Sequence, residues 1–146
     1  MITQSYNLIL ANFCLSALLC GLIWTIQLVH YPSFLDVGSK EYLVFQQNHM
    51  RNIALLVMPL MLVELFVGIY LQVEHFSNPI HWSIYPATFF LILIWAVTFF
   101  IASPLHGRLV SQGYNAENIQ KLINANWWRT ISWTGRTIIF FFLLWK

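Results

Sequence analysis

The chain has 146 residues, of which 59% are hydrophobic and only 8% charged, and its mean hydropathy is +0.67. This balance excludes an ordinary soluble domain, and a formal net charge of +2 leaves no polyanion footprint, so no nucleic-acid partner is expected. The composition is that of a polytopic membrane protein whose first partner is the lipid bilayer.

Four apolar runs, 8–29, 53–73, 84–102 and 127–145, are long enough to cross a bilayer core, which takes about 20 residues of helix. They predict an all-α fold: a single domain over residues 1–146, forming an antiparallel four-transmembrane-helix bundle with short interfacial helices in the two longer connections. The first run is a mature helix rather than a cleavable signal, since residues 1–7 hold no Lys or Arg and no small-x-small site follows. Cys14 and Cys20, six positions apart within it, read as small buried thiols and not as a redox or disulfide pair. Lys40, Arg51, Arg108, Lys121 and Arg129 fall on the side of the longer connections, and only Lys146 on the other. The excess of basic residues on one side places those connections in the cytoplasm and both termini outside, in a membrane of the bacterial inner (plasma) type.

Along the first run, Asn12, Ser16, Gln27 and His30 mark a polar face suited to a bundle interior. Tyr31-Pro32 should end the helix, with the residue before proline extended. A short amphipathic helix is expected from about Ser39 into the second run, delivering His49 and Arg51 to the boundary. Near the middle of that run stands Glu64, after Pro59, which should kink the helix. A carboxylate at this depth costs roughly 2.5–3.5 kcal/mol and needs a partner or a role. Arg136, deep in the fourth run, is the expected partner.

The outer turn carries Glu74, His75, Asn78, Pro79 and His81, whose histidines read as solvated interfacial groups. Ser103-Pro104-Leu105-His106-Gly107-Arg108 closes the third run, and a surface helix capped by Asn115 is expected before Asn126. In the last run Asn126, Arg129, Trp133 and Arg136 share one face.

Folding these spans into a bundle gathers His30, His49 and His106 at one side of the membrane with Arg51, Arg108, Asn126, Trp127 and Arg129. The arrangement predicts a polar cavity opening to the cytoplasm and reaching toward Glu64 and Arg136. His30, His49, His106 and Glu64 form a candidate ligand set for a transition metal (iron, copper or zinc), and two of the histidines could ligate haem. The arginines suit a small anionic or phenolic ligand, and the tryptophans an apolar or quinone-like slot.

Five stretches carry a resemblance: Gly21-Leu22-Ile23-Trp24, Val29-His30-Tyr31-Pro32, Pro59 to Glu64, Pro104-Leu105-His106 and Asn126-Trp127-Trp128-Arg129-Thr130. The pattern is similar to the anthrone-oxygenase-like family of small four-span membrane proteins, whose better-known members oxidise polycyclic phenols. His30, Glu64, His106, Asn126 and Arg129 match it, and the resemblance implies an interior site. The leading expectation is a membrane-embedded oxidoreductase. There Glu64, Arg129 and Arg136 serve catalysis, and His30, His49, His106, Asn126 and Trp127 hold a metal, haem or quinone. Two other classes compete with it: a homo-oligomeric transporter or channel subunit built on the Glu64–Arg136 pair, and an assembly subunit whose polar groups only knit the bundle.

Overall fold

The computed structural model describes residues 2–77 and 81–145; Asn78 and Pro79 of the outer turn, and Lys146, lie outside the described residues. Among the described residues all regular structure is helical. Helix α1 (Ile2–Thr25) widens into a π turn (Ile26–His30), and a 3₁₀ turn (Pro32–Asp36) follows. Next come α2 (Tyr42–Ser77) and α3 (Ile84–Val97). Helix α3 widens at a second π turn (Thr98–Ala102) and continues as α4 (Ser103–Gln112), and α5 (Ala116–Leu144) completes the chain.

Three stretches are long and apolar enough to cross a membrane: Ser5–Asp36, Tyr42–Ser77 and Ile84–Gln112. Helix α5 is long as well, at 29 residues or about 43 Å, but it carries Arg129 and Arg136, which are turned inward and buried. Around the bundle the order of neighbours is α2, α1, α5, α3. Helix α5 packs closely on both α1 and α3, whereas α2 and α3 meet only loosely and leave a seam.

Three local expectations are corrected. Tyr31 is not extended before Pro32; it stays helical at φ −67°, ψ −40°. The clash that proline imposes on its predecessor is accommodated where the helix has already widened, with the Tyr31 amide donating to the Ile26 carbonyl at 2.9 Å. The third apolar run does not stop at Pro104, because proline at the start of α4 lacks only an amide that the second π turn leaves uncommitted. The expected surface helix is the first part of α5, so only residues 113–115 separate α4 from α5. Gly113, at φ +78°, makes that reversal, and the Asn115 side chain caps α5 by accepting from the Asn118 amide at 2.8 Å.

Core packing is divided in two. A large cluster built around Leu19, Ile23, Met61, Ile94, Leu105, Leu122 and Trp133 fills the half that holds the two π turns. A smaller one, Ile9, Leu71, Ile84, Ala87 and Phe140, fills the other end. His75 is buried there with its ring edge-on to Tyr85, contrary to the solvated placement expected of it. Cys14 is exposed at the bundle periphery rather than buried, and neither cysteine is bridged.

Candidate functional site

Two polar layers interrupt the apolar interior. The first joins all the long helices through one ion pair. The Arg136 Nε donates to Glu64 Oε1 at 3.1 Å, with both side chains essentially inaccessible. Ser16 of α1 donates to the same carboxylate oxygen at 2.7 Å, and the Trp133 indole donates to Oε2 at 2.9 Å. The rest of the guanidinium is also engaged: Nη1 donates to the Ala87 carbonyl of α3 at 2.6 Å and Nη2 to Asn12 Oδ1 at 3.2 Å. Every charged group in this layer is neutralised and hydrogen-bonded, which is the condition under which a buried pair is tolerated. The layer is a clamp. It offers no open valence to a substrate.

The second layer lies at the end where the π turns, the 3₁₀ turn and the start of α5 come together. Gln27, in the first π turn, accepts from Asn126 Nδ2 at 2.8 Å, and Arg129 Nη1 donates to Asn126 Oδ1 at 3.2 Å. The Arg129 guanidinium lies over the Trp133 ring at 5.2 Å. Tyr31 Oη is 3.1 Å from His106 Nε2, and Gln46 Nε2 is 2.8 Å from His106 Nδ1. With the Gln46 amide donating to Nδ1, the His106 proton sits on Nε2 and is donated to Tyr31. Because the Tyr31 oxygen accepts from His106, its own O–H is left to donate elsewhere. His30 Nε2 and His49 Nδ1 are 2.7 Å apart, and the His49 and His106 rings stand 5.5 Å apart.

Unlike the clamp, this layer is not closed upon itself. Arg129 is 6% exposed, and the ion pairs among the described residues, Lys121–Glu117 and Arg136–Glu64, give it no carboxylate. Its Nε has no hydrogen-bond partner, nor do Tyr42 Oη, Gln46 Oε1 and His49 Nε2 close by. Tyr31, His106 and Arg129 form the polar end of a cavity of about 190 Å³ whose other walls, apart from Thr98 and Ser103, are apolar, among them Ile26, Met50, Ala54, Val57, Met58 and Met61. A second recess of about 460 Å³ reaches His30 and His49 from the side of Phe45, Asn48 and Asn52.

The expected site residues therefore separate into two groups. His30, His49, His106, Asn126 and Arg129 come together; Glu64 and Arg136 do not join them. Fifteen residues of helix put Glu64 about 22 Å along α2 from His49, so the four-ligand set of three histidines and Glu64 is not formed. The donor geometry tells against a metal as well, and no group of three or more His, Cys, Asp or Glu among the described residues is placed to hold one. Two imidazole nitrogens sharing a tetrahedral metal at about 2.0–2.1 Å each would stand roughly 3.4 Å apart. His30 and His49, at 2.7 Å, instead share a proton, and both His106 nitrogens are already engaged. Axial haem ligands must face each other across a flat macrocycle, whereas these rings touch. Trp127 is 38% exposed and packs edge-on against Trp24, away from the cavity, and Arg51 and Arg108 are exposed.

Tyr31 and Gln46 are the site residues that sequence reasoning passed over. The signal for Gln46 was its place three residues before His49 on one helical face. For Tyr31 the following proline pointed the wrong way. Compared with known proteins, the chain matches no family model, no curated protein and no solved structure.

Proposed function

We propose that this protein is a four-span membrane oxidoreductase that binds a quinone or its hydroquinone with one ring oxygen between Tyr31 and Arg129. A single observation carries the reading: a buried guanidinium with no carboxylate partner and an idle Nε forms the polar end of an apolar cavity. An uncompensated charge at that depth calls for a ligand that supplies electron-rich oxygen and is otherwise apolar. A quinone carbonyl accepts from the Tyr31 O–H, and a developing phenolate is neutralised by Arg129.

The same arrangement moves a proton. As an external electron donor reduces the bound quinone, Tyr31 gives its proton to the ring oxygen, and the tyrosinate left behind, stabilised by the His106 Nε2–H and the Arg129 charge, is reprotonated from solvent; oxidation of a hydroquinone by an external acceptor runs the same steps in reverse. The fourth span is α5, whose inward polar face is matched by polar groups of α1, α2 and α3. The start of α2 and the α4–α5 turn then lie at the cytoplasmic face, in accord with the distribution of basic residues.

The test is binding of 2,3-dimethoxy-5-methyl-1,4-benzoquinone to the protein in lipid nanodiscs, read by quenching of tryptophan fluorescence. Turnover is followed as hydroquinone oxidation with ferricyanide as acceptor. Saturable binding that falls at least tenfold in Arg129→Met is expected. Absence of saturable binding, or binding indifferent to Arg129→Met, overturns the proposal.

A further inference from the structure

A larger recess of about 690 Å³ runs along the seam between α2 and α3; Leu65 and Trp95 of its lining stand one helical turn from Met61 and Thr98 of the head-group cavity, on the same helix faces. Its lining is almost wholly apolar and extends from Leu62 to Val73 on α2, about 16 Å of helix. Ile69, Ile92 and Phe100 on its rim are 50%, 63% and 80% exposed, so in a bilayer it opens sideways into lipid rather than to water. Gly68 lies in its floor, where a Cβ would stand 2.7 Å from Leu91 Cδ2.

We infer that the ligand is a membrane-soluble quinone with a single-ring head and a long hydrocarbon tail, entering laterally through the α2–α3 seam with its tail lying along that groove. This inference rests on the proposed quinone site and specifies its ligand. Two observations select this occupant. A cavity of about 150 Å³ takes one benzene ring, so 190 Å³ at Arg129 suits one substituted ring and not the polycyclic phenols implied by the family resemblance. The charge at one end of the path and its absence along the rest match an amphiphile whose only polar part is the head. A partner helix lying in the groove would cover the rim but leave Arg129 unanswered.

The experiment uses the full chain in lipid nanodiscs and two probes: the tailless dimethoxy-methyl-benzoquinone, and its decyl analogue carrying a diazirine at the tail end. After photolysis, label is mapped by peptide mass spectrometry, and binding of both probes is compared in wild type and Ala96→Trp, which places an indole in the groove. Label within 62–73 and 88–100 is expected, together with about a tenfold loss of decyl-probe binding in Ala96→Trp and less than a twofold change for the tailless probe. Label scattered over other lipid-facing residues, with tailless binding still dependent on Arg129, overturns the lateral tail path while leaving the quinone site standing. Failure of the tailless probe to bind wild type overturns both.

Discussion

Substitution of Glu64 separates a structural clamp from a catalytic pair. Glu64→Ala removes the acceptor for three donors, Ser16 at 2.7 Å, the Trp133 indole at 2.9 Å and Arg136 at 3.1 Å, and leaves a guanidinium 1% exposed without its counter-charge. Breaking one side of a buried pair costs about 3–5 kcal/mol. Arg136 keeps the Ala87 carbonyl and Asn12, which places the expected loss at about 3 kcal/mol, the low end of that range. Arg136→Met alone should cost a similar amount by stranding the carboxylate. The double variant should be more stable than the sum of the singles by about 2 kcal/mol, because neither unpaired charge remains. Stability is read from reversible unfolding in mixed detergent–SDS micelles. Glu64 does not line the head-group cavity and its carboxylate is fully engaged by the clamp, so quinone binding per folded molecule should stay within threefold of wild type. Unfolding within about 0.5 kcal/mol of wild type, coupled with lost binding, would refute the clamp.

The other layer responds differently. Arg129→Met should abolish quinone binding while leaving the unfolding midpoint unchanged or raised, since the side chain it removes has no compensating carboxylate; Arg129→Lys should fail to restore binding, because an ammonium cannot reproduce a planar fork that bonds Asn126 and lies over Trp133. Tyr31→Phe should slow hydroquinone turnover at least tenfold with binding weakened less than fivefold, as seen by steady-state kinetics beside fluorescence quenching. Gly135→Ala should destabilise by about 1–3 kcal/mol in the same unfolding assay, because the new Cβ would stand 2.7–3.2 Å from three atoms of the rigid Phe90 ring and push α5 off α3. Inserting one alanine directly after Ala102, beyond the second π turn, would advance the following helix by one residue and rotate His106 by about 100° away from Tyr31. The expected result is a protein that inserts normally, as judged by protease protection, and binds no quinone.

Much of the bundle was legible because helical periodicity is a local property. Asn12 and Ser16 on one face of α1, and Trp133 and Arg136 on one face of α5, announced an interior, and the lone acid and the lone deep arginine found each other as the cost of burial requires. The rest depended on what sequence spacing does not carry. Trp127 reads as a wall of an apolar slot by residue type alone, yet successive residues on a helix point about 100° apart, and beside it only Asn126 faces inward. Glu64 was assigned to the histidines from angular projection alone, which ignores the rise along the axis. The proline after Tyr31 and the Ser103-Pro104 step both read as helix ends. The structure carries the helical path past each of them, at places where the ladder has already slipped by one residue.

Those two slips connect the fold to its chemistry. An α-helix crossing the bundle keeps one face inward throughout, so a residue such as Tyr31 or His106 can be turned toward the interior only if the register shifts just before it. Each π turn does this, the first ending at His30 and the second at Ala102, and each leads into one partner of the 3.1 Å Tyr31–His106 contact. The cost of a poorer backbone ladder is incurred twice, in the half of the molecule that holds most of the unanswered polar atoms, Gln72 Nε2 lying in the other, while α2 passes the Glu64–Arg136 layer as uninterrupted α-helix. Irregular backbone and an idle guanidinium nitrogen therefore coincide at one end of the bundle, where the head-group cavity lies. A closed hydrogen-bond set holds the helices together in the other polar layer, so the first can stay unsatisfied until a ligand arrives.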